Sequence, residues 1–359
     1  MKRTRRGLAI AVFTVALAAA FLPSELWSRL VPAPGTVDEQ WLAKQSDVIF
    51  KGSVTKVEVD PSPAYVHEWG TEDGKPVNFN FIAVFRVDRV YRGKLPQEAV
   101  LHFESGNAFS MGHDCINFQP GQYWVVFARI KNGKMIPADD CLGALGVSRL
   151  LGPKLKQVSW SIQMEADFIA GLADRDPAAR ILSLQRLGGL KLVSSRPAIH
   201  SEIEQSAGEE RKWAVYAALR TADITVLPLV KDYLAATGER AGPEDAMISE
   251  FRNIKDPAAV PGLLNILASA PDDETKEQVL VALVYNIGDP RAIHALGESL
   301  SSNNEHILYL AVTGLGEIAH AGACKISGAG DDEKLFRQQV ATCKAWWDDT
   351  GSHENWSRN

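Results

Sequence analysis

Short catalytic signatures are missing from this chain. No G-x-S-x-G elbow, P-loop or G-x-G-x-x-G fingerprint occurs in its 359 residues, which removes the common local marks of serine hydrolases and nucleotide enzymes. His67-Glu68 and His353-Glu354 each lack the second histidine of H-E-x-x-H, so a zincin is excluded on spacing. Cysteine is scarce, with four in all, and neither C-x-x-C nor H-x-x-x-H spacing appears, which argues against a structural zinc site. Positive charge is confined to the start. Residues 1–35 carry +4, residues 36–152 carry −2 and residues 153–359 carry −8. Nothing beyond the first few residues is basic enough to grip a phosphate backbone, so no nucleic-acid partner is expected.

What is present begins with Met1-Lys-Arg-Thr-Arg-Arg6, followed by an apolar run from Gly7 to Ala20 and small residues at Ala18-Ala19-Ala20. That order reads as a signal peptide over 1–22, or an uncleaved signal anchor, with a linker over 23–37. Fourteen apolar residues are short of the roughly 20 that span a bilayer. Either way, the rest of the chain is expected outside the cytoplasm, periplasmic or secreted. The cysteines agree with an oxidising compartment. Pairing within each half, Cys115 with Cys141 and Cys324 with Cys343, closes short loops and needs no contact between halves.

A chain of this length suggests two or three domains at roughly 150 residues each. Residues 47–141 alternate with the period of strands. Val48, Phe50, Gly52 and Val54 face one way, with Lys51, Ser53 and Thr55 opposite. Phe79, Phe81, Ala83, Phe85 and Val87 repeat the pattern, and Val100–Phe103 is a third strand. Tyr123–Ala128 is apolar on both faces, as in a sheet interior. Asn132-Gly133 then predicts a tight hairpin returning through Lys134–Ile136. Gln40–Lys44 reads as a short helix beside the first strand. About five strands in roughly 100 residues suit a small Greek-key barrel.

Ser46-Asp-Val-Ile-Phe-Lys-Gly-Ser-Val54, Phe85-Arg-Val-Asp-Arg-Val-Tyr-Arg-Gly93 and Gly121-Gln-Tyr-Trp-Val-Val-Phe-Ala128, with Cys115 and a closing Cys141, resemble the bacterial netrin-like (TIMP-like) OB-fold domains. The resemblance spans about 100 residues, assigned to 38–152. It implies a Cys115–Cys141 disulfide, in agreement with the spacing. The family's inhibitors chelate a protease zinc through a cysteine at the mature N-terminus. This chain has no cysteine before Cys115, so that role is not carried over.

The second half repeats. Pro228 and Pro261, Leu234, Leu267 and Leu300, and Asp256-Pro257 and Asp289-Pro290 all recur at a spacing of 33. Each unit holds two helical patterns. Val279, Leu280, Leu283 and Ile287 form one, Gly288-Asp-Pro290 breaks it, and Ile293, Leu296 and Leu300 form its partner. Ile254-Lys-Asp-Pro-Ala-Ala-Val-Pro-Gly-Leu-Leu-Asn-Ile-Leu267 resembles the short bacterial HEAT-like repeats of the PBS-lyase type. The expected α-solenoid occupies 158–323. A disulfide-stapled capping helix over 324–350 contains Leu335–Trp347, and a tail covers 351–359.

The fold class expected is therefore an N-terminal five-stranded OB-like β-barrel followed by an α-solenoid of HEAT-like helix pairs. Four places merit attention as sites. His67 and Trp69 lie in the long connection after the first strand, where loops carry function more often than strands do. Trp346 and Trp347 read as aromatic cover for the last repeat or as a ligand platform. His102-Phe-Glu104 and His113-Asp114 could ligate a metal or act as acid and base, but read as ordinary strand and loop residues. The acidic groups Glu209-Glu210, Asp272-Asp273-Glu274 and Asp331-Asp332-Glu333 read as helix caps. The expectation is an exported, non-enzymatic, protein-binding scaffold without metal or cofactor, touching a membrane only through an uncleaved anchor. Two rivals are an inhibitor acting through the barrel and an enzyme whose site converges from distant positions.

Overall fold

The computed structural model describes residues 38–60, 71–72, 75–76, 80–104, 116–139, 142–236, 242–326 and 333–356. The N-terminal segment 1–37, His67, Trp69, His113, Asp114, Cys115, Cys141 and Asp331-Asp332 lie outside the described residues, so the first disulfide and the loop candidates fall there too.

Strands β1 (Val48–Val59), β4 (Asn80–Arg92), β5 (Glu98–Glu104), β6 (Tyr123–Lys131) and β7 (Lys134–Pro137) pair in the order β1-β4-β5-β7-β6. β1 also pairs with β6, which closes the barrel. A separate two-stranded hairpin joins β2 (Thr71–Glu72) to β3 (Lys75–Pro76), and β8 (Ala144–Gly146), absent from the sequence reading, adds to β6. All pairings are antiparallel except β5 with β7. This is the five-stranded Greek-key arrangement of an OB-like barrel.

Closure depends on β1 serving two neighbours. Its register against β4 shifts at three places, and such bulges bend and twist a strand. At Gly52 a Cβ would stand 2.5 Å from the Arg86 carbonyl oxygen, so a side chain there would force β1 and β4 apart. The hairpin at Asn132-Gly133 forms as expected, with φ 52 and 76, the left-handed pair that a type I′ turn requires.

The barrel interior holds Phe50, Phe85, Phe103 and Phe118, with rings edge-on at 4.8–5.4 Å where they meet. One sequence expectation fails here. Lys51 and Ser53 read as the open face of β1, yet they are buried, as is Ile49. The helical half lies over that face. The double-sided apolar run in β6 has the same cause: Val126 and Ala128 enter the barrel, while Val125 and Phe127 join the helices.

Twelve α-helices are described. α1 (Glu39–Lys44) precedes the barrel, capped by the Asp38 side chain on the Trp41 amide. After β8 come α2 (Trp160–Gly171), α3 (Pro177–Leu190), α4 (Arg196–Gln205), α5 (Gly208–Arg220), α6 (Leu227–Ala236) and α7 (Pro243–Phe251). Then follow α8 (Val260–Ala268), α9 (Asp273–Val281), α10 (Ile293–Ser299), α11 (Glu305–Ile318) and α12 (Glu333–Asp349). Helices α3, α5, α7, α9 and α11 stand side by side in one layer, and α4, α6, α8 and α10 pack behind them. The Thr237–Glu244 connection is shorter than expected, because Pro243 at the first turn already starts α7.

The repeat period has a visible origin. Asp223, Asp256 and Asp289 each accept a backbone N–H two residues on, from Thr225, Ala258 and Arg291. Each caps a 3₁₀ turn that leads into α6, α8 or α10. Asp272 caps α9 on the Thr275 amide, as the capping reading expected; Glu209 and Glu210 sit in the first turn of α5 without capping it, and accept instead from Trp213 and Arg180. One feature was not legible: α9 continues as a π-helical turn over Ala282–Ile287, ending at Gly288 with φ 64.

A single hydrophobic cluster runs from the outer barrel face (Val125, Phe127, Leu145) through Phe168, Leu187 and Leu283 to Trp347. The outer face of the barrel and the helical row share one core, and the barrel interior holds a second.

Candidate functional site

Four polar or aromatic constellations stand out, and only two reach solvent. The first lies at the end of the barrel. Leu101 and Phe103 point inward along β5 and are buried, so His102 between them points outward. Its Nδ1 meets Asp60 Oδ2 at 2.8 Å, and Lys134 Nζ from β7 stands 3.7 Å from the same oxygen. Asp60 is buried, while the His102 side chain keeps 22% of its surface. A carboxylate behind an imidazole fixes the orientation of the ring. His102, read as an ordinary strand residue, therefore pairs with Asp60.

The second lies on the helical row. Tyr285, in the π-helical turn, and Tyr309, on α11, are 44% and 37% exposed. Tyr285 hydrogen-bonds Tyr309 and Thr313, and burial together with the Tyr309 phenol raises its pKa. Exposed aromatic pairs with polar tips are the side chains that interfaces favour. Sequence reading missed both, since each resembles an ordinary helical position. The π-helical turn is the structural signal, as such turns often mark functional positions.

The other two constellations are internal and lie between barrel and helices. Asp167 of α2 accepts hydrogen bonds from Arg89, from the Tyr91 hydroxyl at 2.7 Å and from the Gly152 amide at 2.8 Å. Arg89 also donates to the Gly152 carbonyl at 2.9 Å, and Lys51 Nζ donates to the Leu150 carbonyl. Burial pulls the Lys51 amine down to about 8, with Asp167 and Asp88 opposing. Burial also pushes the Asp167 carboxyl up, against the hydrogen bond from Tyr91 and the Arg89 charge.

Glu39 of α1 forms the second internal group. It is wholly buried, 3.8 Å from Arg186 of α3, and no other residue donates a hydrogen bond to either of its oxygens. Arg220 of α5 pairs with Glu250 of α7 at 3.2 Å and lies over the Tyr216 ring. Burial pushes Glu39 up to about 7, with Arg220 and Arg186 opposing.

At the far end, Cys324 and Cys343 are bonded as the sequence predicted. Trp347 is buried against α10. A Cβ on Gly297 would overlap its ring, and His294 meets it edge-on at 5.6 Å. Trp347 is thus cover for the last repeat and not a partner contact, because α10 occupies its face. Trp346 is half-buried beside Trp347 and Trp356. His353 lies in a 3₁₀ turn after α12 and makes no pair with Glu354 in the described contacts. Between α11 and α12 runs an open groove of about 330 Å³, floored by Leu308, Phe336 and Val340 and flanked by Glu305 and Arg337.

Among the described residues, no three or more His, Cys, Asp or Glu side chains are grouped to hold a metal, and no helix is long and apolar enough to cross a membrane. No protein-family model matches the chain, and no curated protein matches it. Among solved structures, it is similar to the complex of CpcE and CpcF of phycocyanin lyase from Nostoc sp. PCC7120. The identity is 19%, the TM-score 0.35, and the match covers 55% of this chain and 80% of that one. The expectation of a non-enzyme is corrected at this point. The solved neighbour is a lyase, and the lack of a short catalytic motif does not exclude chemistry.

Proposed function

We infer that the protein is an exported protein-binding scaffold, in which a netrin-like OB barrel braces a HEAT-like helical row that meets a protein partner. The observation that carries this reading is the solvent-facing Tyr285–Tyr309 pair, displayed on adjacent elements of a row whose other large aromatics are mostly covered. Stacked helix pairs supply extended surfaces of the kind that protein partners use, and buried tyrosines at interfaces are frequent anchors. The barrel's own cations support a bracing role, since Lys51 and Arg89 face the helical half, where Arg89 meets Asp167 of α2. Export is supported by the basic-then-apolar N-terminus and by the Cys324–Cys343 bond. The netrin-like reading rests on the motifs around Gly52, Arg89 and Trp124.

The test is site-specific photo-crosslinking in cells from position 309, with position 193, an exposed residue of the 3₁₀ turn before α4, as control. A discrete protein adduct in the extracytoplasmic fraction from 309, lost in Tyr285→Ala, is expected. Equal adducts from both positions, or a cytoplasmic location of the chain, would refute the reading.

A further inference from the structure

The seat of α1 on the helical row has an unusual design. Glu39 projects from a helix of only six residues into the layer of α3 and α5. Its carboxylate takes the space that a side chain at position 189 would need: a Cβ on Gly189 would lie 1.9–2.2 Å from the carboxyl atoms. The groups around it come from every packed element. Asp38 caps α1, Arg186 belongs to α3 and Lys191 follows it, Tyr216 and Arg220 belong to α5, and Glu250 to α7. Arg92 of β4 ties the other end of α1 through the carbonyls of Ala43 and Ser46. So α1 has an apolar seat through Leu42 and Ala43, a backbone attachment to the barrel and an ionisable one to the row.

We propose that Glu39 is a proton-operated latch, holding α1 on α3 and α5 when its carboxyl is neutral and loosening that seat when it ionises. Geometry supplies the reason. An ionised carboxylate with no hydrogen-bond donor from another residue in a wholly buried place is poorly solvated, and Arg186 at 3.8 Å gives it charge but no hydrogen bond. The neutral acid avoids that penalty and gives up the Arg186 and Arg220 charges, which oppose burial but rank below it. Burial places its titration near 7, against an ordinary 4.5 once α1 lifts into water. The folded seat therefore binds a proton that the open one has lost. Its advantage is full below about 4.5 and fades as pH rises through about 7. Opening would part Glu39 from Arg186, its charged neighbour on the row that the proposed scaffold uses. The latch itself does not depend on that function.

Hydrogen exchange between pH 5 and 8, corrected for intrinsic rates, reads the latch directly. The Leu42, Gln45 and Ser46 amides, all bonded within the α1 turn, should lose protection on the order of 100-fold over that span. The Phe127 amide, bonded to the Gly143 carbonyl, should not change. In Glu39→Gln the α1 slope should vanish. Gly189→Ala, whose methyl would displace the carboxylate, should leave α1 open at every pH. A flat α1 profile in the wild-type chain, a slope that persists in Glu39→Gln, a slope shared by Phe127, or normal α1 protection in Gly189→Ala would each overturn the proposal. None of these outcomes bears on photo-crosslinking from position 309.

Discussion

Asp167→Ala offers the sharpest perturbation of the join between barrel and helices. The Asp167 side chain has no exposed surface and Arg89 keeps 13%, so solvent cannot replace the lost partner. Removing the carboxylate leaves the Arg89 guanidinium with only the Gly152 carbonyl, and it strands the Tyr91 hydroxyl and the Gly152 amide. A buried charge that loses its partner costs about 3–5 kcal/mol. Adding the two neutral donors separately would count the same site twice, since they share one acceptor. At roughly 0.6 kcal/mol per degree of unfolding entropy for the 280 described residues, the midpoint should fall by about 7 °C. Replacing the pair together, Arg89→Met with Asp167→Leu, should recover most of the loss, because neither charge then needs a partner. Thermal unfolding gives the magnitude, and hydrogen exchange at Phe127 and at Leu187 gives its reach. Both amides should weaken together, since both residues belong to one hydrophobic cluster. A loss below about 1 kcal/mol, or protection lost in one half alone, would show that the shared core does not couple the two parts.

Three further outcomes follow from single residues. Leu283→Ala should cost about 2–5 kcal/mol through lost burial and a residual cavity; exchange should speed up across α7 to α11, and an effect confined to α9 would contradict nearest-neighbour stacking. Lys51→Met should flatten the alkaline limb of stability. In the wild-type chain the buried amine, held near 8 against 10.5 when unfolded, penalises folding below about 8, and the penalty lifts as pH rises toward 10.5. Denaturant midpoints at pH 7 and 10 that move equally in both proteins would exclude this. Cys324→Ser with Cys343→Ser should remove about 3 kcal/mol by freeing a loop of 19 residues, and unchanged unfolding under reducing conditions would argue against the staple.

Local sequence carried most of the barrel. Alternation placed Phe50, Ala83 and Phe85 on one face, which is the inside, and Asn132-Gly133 marked its hairpin, because these depend on period and turn chemistry. The aspartates at 256 and 289 announced the repeat, since each caps a turn within two residues. What was hidden depends on distance along the chain. Lys51 meets Leu150 across 99 residues and Arg89 meets Asp167 across 78, so nothing near Lys51 reveals that its face is covered. The apolar run Tyr123–Ala128 was the one hint, as both faces of a strand stay apolar only when both are packed. Glu39 was equally unreadable. Its role depends on Gly189, which by itself looks like a flexible point in α3. The tyrosines at 285 and 309 escaped notice because a π-helical turn shifts which positions reach water.

The continuous core has a consequence for any partner large enough to touch both ends. A hinge would let the His102 end of the barrel and the α11–α12 groove search for two sites independently, each new spacing costing only loop entropy. Here the packed seam between the outer barrel face and the helical row opposes such a hinge and so holds the gap between the two ends. A partner whose two epitopes match the gap gains the second contact almost free of ordering entropy, at high effective concentration. One that misses by a few ångströms keeps a single contact. Selection among partners would then be made by length.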